Sequence, residues 1–384
     1  MNPSRWLCPL VVVLVTDAGV APAWEDHLLV VTSWDGAGSC AVVELDDPWV
    51  ATVDVEPVSP NAVVRLFSGL YYVVNEPTAT VQVIDPATTD TIAEYSVGVG
   101  SSPRDILLVD RQTAWVSRDS SCHLLKIDPA DGTTLGSVDL CPLADADGLP
   151  EMGMMARDAD HLFVQVRRLD PSFHPVPPSY LAVVDLTSDT LVDVDPQQAG
   201  MQGIVLSELL PSFKMHIDDV GRRLYVTTPG SPAEWGTGGI DQVDLDTLQS
   251  VGFLTTEAQI PLHMGPFVMV SEIKGYVVTH TDIVLSSHLV PFSRITGEAL
   301  GGETYMTLGA VESMAFDPQT SQLYYPELSD GGVVVVDADA DVVLTPLPID
   351  VGGTPRDLVV ARFGAIFSDG FESGDTSAWN AAAP

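Results

Sequence analysis

Residues 103–140 read PRDILLVDRQTAWVSRDSSCHLLKIDPADGTTLGSVDL and contain four short apolar or alternating runs separated by polar turns. Runs of this length, bounded by Asp, Gly, Pro and Ser, predict four antiparallel strands. The turn PADG at 129–132 joins the last two runs as a hairpin. A single four-stranded sheet cannot bury both of its faces, so this unit needs neighbours of the same kind.

The unit recurs between residues 27 and 347, with a polar residue at the end of its third strand. These positions set the register: Asp46, Asp85, Asp128, Asp185, Asp244, Ser293 and Asp337. The base interval between them is close to the ~40–45 residues of a four-stranded blade. The two longest intervals contain a proline-rich insertion at 170–179 and a glycine-rich loop at 229–239. We therefore predict an all-β fold, a seven-bladed β-propeller.

The two ends of the repeat complement each other. Residues 354–361, TPRDLVVA, resemble residues 102–109, SPRDILLV, whereas the unit that starts at residue 27 lacks its leading strand. The C-terminal strand 354–361 is therefore predicted to join the first blade. This pairing would close the ring and leave no open sheet edge.

The N-terminus has the pattern of an export signal. Arg5 precedes an apolar run at 6–15, and Ala21-Pro22-Ala23 forms an A-x-A-like cleavage site. The alternative is a buried first strand. We predict a signal peptide at 1–23, the propeller at 24–362 and a flexible tail at 363–384. The protein would then be secreted, periplasmic or at the bacterial cell surface, with no membrane span, because no apolar run is long enough.

The charge balance restricts the partners. The chain has 16 Lys and Arg against 53 Asp and Glu, for a net charge of -37. This excess argues against binding to nucleic acid or to anionic lipid, both of which need clustered cations. It favours solubility, weak cation binding and cationic partners. Carboxylates that simply solvate the blade surfaces would explain it equally well.

Three cysteines remain after cleavage at the predicted site. Cys122 precedes the strand at 123–128 and Cys141 follows the strand at 134–140, so the hairpin places them opposite each other. In an oxidising compartment they would form a disulfide; otherwise they are two buried thiols. Cys40 has no evident partner. No C-x-x-C motif or Cys/His cluster indicates zinc.

Two segments resemble known families. Residues 70–106, LYYVVNEPTATVQVIDPATTDTIAEYSVGVGSSPRDI, resemble the YVTN-type repeats of bacterial seven-bladed propellers of the YncE-like kind. That resemblance implies a propeller, often exported, but no single activity. Residues 366–380, IFSDGFESGDTSAWN, resemble a DGFESGD-type segment near the end of many exported bacterial proteins. It implies a sorting or anchoring tag or the remnant of another domain; a disordered acidic tail is the alternative.

The usual site of a propeller is its central channel and the mouth where loops enter the innermost strands. Alignment of these strands places the following residues there: Asn61, Arg104, Asp105, Glu151, Met152, His263, Glu312, Arg356 and Asp357. They would bind a polar ligand or a cation, and carboxylates suit Ca²⁺. The alternative is that Arg104-Asp105 and Arg356-Asp357 form local ion pairs that hold the loops.

Other motifs are weaker. The DADG at 145–148 and the DADAD at 337–341 lack the full spacing of a calcium loop. The chain has no G-x-S-x-G elbow, and the sequence shows no Ser-His-Asp grouping. His216 and His263 lie on predicted inner strands as core or channel residues. The insertion at 170–179 is a candidate recognition loop.

The sequence favours a non-enzymatic, exported, monomeric propeller without a cofactor, which binds a protein, a glycan or a surface component through one loop face. The alternative is a metal-dependent hydrolase of the lactonase or esterase type with a divalent cation in the channel. Carboxylates that converge on one point would favour the enzyme. A redox subunit ranks third, because the chain has no C-x-x-C-H site for haem attachment.

Overall fold

A computed structural model describes residues 26–230, 236–281 and 285–363. The described chain forms seven antiparallel sheets, each with a four-stranded core, arranged as the blades of a β-propeller. The predicted fold class is therefore confirmed. The predicted signal peptide lies outside the described residues, as does the predicted tail apart from Phe363.

The first three blades contain four strands each. Their bounds are, for blade 1, β1 (His27–Trp34), β2 (Ala37–Glu44), β3 (Ala51–Val58) and β30 (Thr354–Ala361); for blade 2, β4 (Val63–Phe67), β5 (Leu70–Asn75), β6 (Thr80–Ile84) and β7 (Thr91–Ser96); for blade 3, β8 (Pro103–Leu108), β9 (Ala114–Arg118), β10 (His123–Ile127) and β11 (Thr134–Asp139).

Blades 4 and 7 each carry a short fifth strand. The bounds are, for blade 4, β12 (Met152–Arg157), β13 (His161–Val166), β14 (Tyr180–Asp185), β15 (Thr190–Leu191) and β16 (Ile204–Val205); for blade 5, β17 (Ser212–Asp218), β18 (Arg223–Thr228), β19 (Gly239–Asp244) and β20 (Gln249–Thr256); for blade 6, β21 (His263–Met269), β22 (Lys274–His280), β23 (Ser286–Ser293) and β24 (Tyr305–Leu308); for blade 7, β25 (Ala315–Asp317), β26 (Gln322–Glu327), β27 (Gly332–Asp337), β28 (Val342–Val343) and β29 (Ile349–Asp350).

The core lies between the blades, and the middle strands supply most of it. In β5, Tyr71 and Val73 pack against blade 1, whereas Tyr72 and Val74 pack against blade 3. Successive side chains of a strand point to opposite faces, so one apolar run fills two cores. The outermost strand β7 alternates between half-buried and exposed residues instead. This pattern explains why the middle strands read as continuous apolar runs.

The ring closes in blade 1, where β30 pairs with β1 in the sheet order β3-β2-β1-β30. The pairing predicted from the two ends of the repeat is thus present. Arg362, just after β30, donates a hydrogen bond of 2.9 Å to Asp26 and also pairs with the buried Asp317 of blade 7. The end of the closing strand is therefore held both to the start of its own blade and to blade 7.

Some strand ends differ from the prediction. The first strand of blade 7 was predicted at 311–317 but begins at Ala315, because the residues before it bond to other blades: the Val311 N–H donates to Ser287 Oγ and the Ser313 hydroxyl to Asp357. The predicted strand 342–347 shortens to Val342–Val343. Pro346 and Pro348 lack the N–H that a longer pairing would need.

Cys122 and Cys141 form a disulfide with their Cα atoms 4.9 Å apart. The bond links the loop after β9 to a single turn of 3-10 helix at Cys141–Leu143, which starts the connection to blade 4. Cys40 is free and buried. No helix among the described residues is both long and apolar enough to cross a membrane.

Candidate functional site

Two adjoining cavities, of about 210 Å³ and 300 Å³, lie between the inner strands. Blades 1, 2, 3, 4, 5 and 7 all contribute residues to the wall of the first, which places it in the central channel. The two cavities share six lining residues: Asn61, Val63, Arg104, Met154, Glu312 and Arg356. Together they form one channel site.

The channel site contains five of the nine residues predicted at the mouth: Asn61, Arg104, Glu312, Arg356 and Asp357. Asp105 is completely buried in β8 and does not line either cavity. Glu151 and His263 also lie outside both cavities. Met152, at the start of β12, is a buried residue of the core between blades 3 and 4.

Asp105 and Asp357 occupy equivalent positions in the repeated PRD motif, and each binds the next blade. Asp357 accepts a hydrogen bond of 2.9 Å from the Val64 N–H of β4, and Asp105 accepts one of 2.8 Å from the Met155 N–H of β12. Each buried carboxylate therefore fastens the inner strand of one blade to the backbone of its neighbour.

The same two aspartates also pair with cations from other blades. Asp105 receives two hydrogen bonds, of 2.8 and 2.7 Å, from the Arg65 guanidinium, while Asp357 pairs with Lys214 of blade 5. The local pairs suggested by the sequence, Arg104 with Asp105 and Arg356 with Asp357, do not form. Adjacent residues of a strand point to opposite faces, so such neighbours cannot meet.

Arg104 and Arg167 belong to a second ionic group near the mouth. Arg104 lies 3.1 Å from Glu76 and 3.5 Å from Asp119, and Arg167 also pairs with Asp119. Glu76 and Asp119 directly follow the second strands of blades 2 and 3. The loops at this end of the channel are thus joined by charges across three blades.

Two charged groups of the channel site remain unpaired among the described residues. Arg356 donates through Nε to Ser33 Oγ at 2.8 Å, and its terminal nitrogens have no described acceptor. The Glu312 carboxylate has no hydrogen bond or salt bridge within the described chain. The Glu312 side chain faces the cavity and is exposed. The protein around it raises the pKa of its carboxyl, and Arg356 and Arg104 oppose this shift.

Sequence reasoning missed several residues of the channel site. Four of them line the first cavity, of about 210 Å³: Gln165, Arg167, Phe213 and Lys214. Buried Gln165 accepts a hydrogen bond from the Met154 N–H at 3.0 Å and donates to the Phe213 carbonyl at 2.9 Å. Lys214 was recognisable in principle, since it is one of only three lysines and lies in an inner strand. Burial lowers its pKa, which Asp357 counteracts.

The other predicted groups have local partners. Glu151 accepts a hydrogen bond of 2.9 Å from the Leu169 N–H at the base of the 170–179 insertion, and burial raises its pKa to about 7. His263 Nδ1 lies 3.3 Å from Glu257. The His216 ring lies 6.2 Å from the Tyr225 ring at a tilt of 35°, and burial lowers the pKa of His216. These residues hold loops and blade contacts in place.

The carboxylates do not converge as a calcium site requires. Ca²⁺ takes six to eight oxygens, yet the oxygens of Asp105 and Asp357 already accept from cations and N–H groups. Asp145 and Asp337 use their side chains to accept backbone N–H groups of their own turns. Cys122, Cys141 and Asp139 lie together, but the two sulfurs are bonded to each other and offer no thiolate.

Blade 6 contains a Ser-His-Glu chain that the sequence did not reveal. Ser286 Oγ lies 2.9 Å from His288 Nε2, and His288 Nδ1 bonds to Glu303. This order matches a catalytic triad. However, Ser286 is buried, its hydroxyl also contacts Thr281 at 2.8 Å, and neither cavity of the channel site reaches it. The hydrogen bonds that join Ser286, His288 and Glu303 therefore serve as polar contacts within blade 6.

Comparison with solved structures supports the fold. A functionally unknown protein from Desulfotomaculum acetoxidans is similar with a TM-score of 0.58 and 11% identity, over 88% of this chain and 99% of that one. Hydrazine synthase of Kuenenia stuttgartiensis is similar with a TM-score of 0.57 and 14% identity, over 78% of this chain and 88% of that one. AztD from Citrobacter koseri is similar with a TM-score of 0.52 and 13% identity, over 88% of this chain and 97% of that one. At such identities the likeness concerns the fold alone.

No protein-family model matches the chain, and no curated protein matches its sequence. The class defined by fold and site is thus a seven-bladed β-propeller with a charged central channel. The YVTN-type resemblance stays a prediction.

Proposed function

We propose that this protein is a non-enzymatic binding protein and that its ligand is a small charged molecule held in the channel site. The observation that supports this most is the cavity of about 210 Å³ whose wall combines paired charges with the unpaired Arg356 and Glu312. Few, fixed polar groups around an enclosed space are typical of small-molecule sites. The site is too narrow for a folded protein partner, so the channel rather than a loop face carries the proposal.

Salt bridges between blades hold the charged groups of the channel wall in fixed positions. Lys214–Asp357 and Arg65–Asp105 join inner strands of different blades, so the charged groups are positioned before a ligand arrives. A preorganised site loses less conformational entropy on binding. This arrangement favours recognition of a ligand over a mobile, adaptable surface.

The metal-dependent hydrolase is less well supported. It needs carboxylate oxygens directed at one point, whereas among the described residues that line the two cavities only the Glu312 carboxylate has no partner, and it stands beside two arginines. A divalent cation there would be repelled by Arg104 and Arg356. We also propose that the protein is exported and monomeric; cell fractionation of the full chain and light scattering of the purified protein test these two points.

The binding proposal is tested by calorimetry with sodium propionate, succinate, ethylamine, L-alanine, calcium chloride and manganese chloride. We expect at least one organic probe to bind with a stoichiometry near one, and Arg356→Gln to abolish binding of the probes that carry a carboxylate. The matched control is Arg111→Gln, which removes an exposed arginine outside the channel. Calcium binding lost in Glu312→Gln but kept in Arg356→Gln would favour the hydrolase. No saturable heat from any probe would overturn the proposal.

A further inference from the structure

The charges around the channel balance in a specific way. Five cationic side chains face five anionic ones: Arg65, Arg104, Arg167, Lys214 and Arg356 against Glu76, Asp105, Asp119, Glu312 and Asp357. Four cations and four anions neutralise one another through salt bridges between blades. Arg356 and Glu312 are the remaining pair, and they form no salt bridge with each other among the described contacts.

Both groups line both cavities, so they face the same space from neighbouring blades. Glu312 is exposed and Arg356 is half-buried, so a ligand in the cavities can reach both charges. A ligand that carries one negative and one positive group would satisfy both residues at once. A simple anion would meet Arg356 but be repelled by Glu312, and a simple cation would meet the opposite problem.

We propose that the channel ligand is a small zwitterion of the α-amino acid class, with its carboxylate on Arg356 and its ammonium group on Glu312; this inference rests on the proposed function. An arginine guanidinium pairs with a carboxylate through two parallel hydrogen bonds, and the two terminal nitrogens of Arg356 are available for them. Glu312 accepts the hydrogen bonds of the ammonium group.

The rest of the wall indicates the side chain. Ala62, Val63, Met154, Pro211 and Phe213 supply apolar surface to the same cavity. The first cavity, of about 210 Å³, lies below the ~300–1,000 Å³ typical of sites for drug-sized ligands, and it adjoins the second cavity of about 300 Å³. A free amino acid with a small aliphatic side chain fits the first cavity, with that side chain against the apolar part of the wall.

The test compares molecules that differ by one charged group. Calorimetry near neutral pH would use L-alanine, propionate, which lacks the ammonium group, and ethylamine, which lacks the carboxylate; L-valine and L-leucine extend the series. We expect the amino acids to bind at least ten-fold more tightly than either analogue. This comparison uses the unaltered protein, so it does not depend on any variant folding.

Two variants assign the roles. Glu312→Gln should weaken amino acid binding at least ten-fold and leave propionate binding unchanged or stronger, since the repulsive charge is gone. Arg356→Gln should abolish binding of both, and Arg356→Lys should restore part of it. Arg111→Gln and Glu298→Gln change exposed residues elsewhere and should have no effect. Circular dichroism and thermal unfolding confirm that each variant is folded.

The outcomes separate the two proposals. If propionate or succinate binds as tightly as the amino acids, the zwitterion inference is wrong and the binding proposal stands. The same conclusion follows if Glu312→Gln leaves amino acid affinity unchanged. If neither the amino acids nor the single-charge probes bind, both proposals fail.

Discussion

Asp357 is the residue on which most contacts of the channel converge, because Val64, Lys214 and Ser313 all donate to it. Asp357→Asn keeps an oxygen for the Val64 N–H but leaves the Lys214 ammonium without a counter-charge. Breaking a buried ion pair from one side costs about 3–5 kcal/mol. We therefore expect a clear fall in the thermal unfolding temperature, measured by circular dichroism.

Two comparisons make this prediction specific. Adding Lys214→Met to Asp357→Asn should recover part of the lost stability, since no charge is then left buried. Asp90→Asn, at an exposed turn, should have little effect. If Asp357→Asn and Asp90→Asn unfold at the same temperature, the ion pair does not stabilise the ring.

Glu151 should make stability depend on pH. Its pKa is raised from 4.5 to about 7 in the folded protein because burial disfavours the charged form. Between these values the folded state holds the proton that the unfolded chain releases, so the stability contributed by Glu151 is complete below pH 4.5 and is lost as pH rises through 7.

Glu151→Gln retains an acceptor for the Leu169 N–H and removes the charge. We expect this variant to unfold at a higher temperature than the wild type near pH 8, by a free energy on the order of 1–3 kcal/mol. Near pH 4 the two should coincide. An equal difference at both pH values would show that the charge is not the cause.

The residues of the site were only partly predictable. The repeated PRD motif and the inner-strand alignment located Arg104, Glu312 and Arg356, because those positions follow from the blade period. The ion-pair partners could not be predicted from the blade period. Lys214 and Asp357 are 143 positions apart in the sequence, and Arg65 and Asp105 are 40 positions apart. Such pairs depend on how the blades face each other in the ring, which a local pattern does not encode.

The disulfide between Cys122 and Cys141 holds the connection from blade 3 to blade 4. It closes a loop with a sequence separation of 19 residues, for which the chain-entropy relation gives about 3 kcal/mol. The double variant Cys122→Ser, Cys141→Ser should therefore unfold at a lower temperature without reductant. Dithiothreitol should lower the unfolding temperature of the wild type to that of the double variant. A variant as stable as the oxidised wild type would contradict this.

The strands themselves were predictable to different degrees. β5, β14 and β18 coincide with their apolar runs, since a strand buried on both faces leaves a continuous hydrophobic signal. The short β28 and β25 do not coincide. The residues before β25 bond to other blades, and hydrogen bonds of that kind leave no periodic trace in the sequence. β28 ends early because Pro346 and Pro348 follow it.

The closing strand β30 should be indispensable. A chain that ends at residue 353 leaves the β1 edge unpaired and removes Asp357 from the channel. We expect this truncation to aggregate or to lose cooperative unfolding, measured by size-exclusion chromatography and circular dichroism. A chain that ends at residue 363 retains Arg362 and serves as the matched control. Equal behaviour of the two would show that the first blade is stable with three strands.

The whole molecule carries a net charge of -37, whereas the channel has equal numbers of the named cationic and anionic side chains. Repulsion among surface carboxylates should therefore oppose folding at low salt. We expect the unfolding temperature to rise by several degrees as NaCl increases from about 0.01 M to about 1 M, which shortens the screening length from roughly 30 Å to 3 Å. A fall instead would mean that surface ion pairs outweigh the repulsion.

Closure by β30 also determines the order in which the ring is completed. Ser33 and Arg356, which meet in blade 1, are 323 positions apart. Bringing the ends of such a segment together costs about 5 kcal/mol of chain entropy. On the ribosome, blades 2 to 7 have their strands before blade 1 has its innermost one. The nascent protein therefore presents an open sheet edge at β1 throughout its synthesis. The pairing of β30 with β1 is the last strand pairing to form.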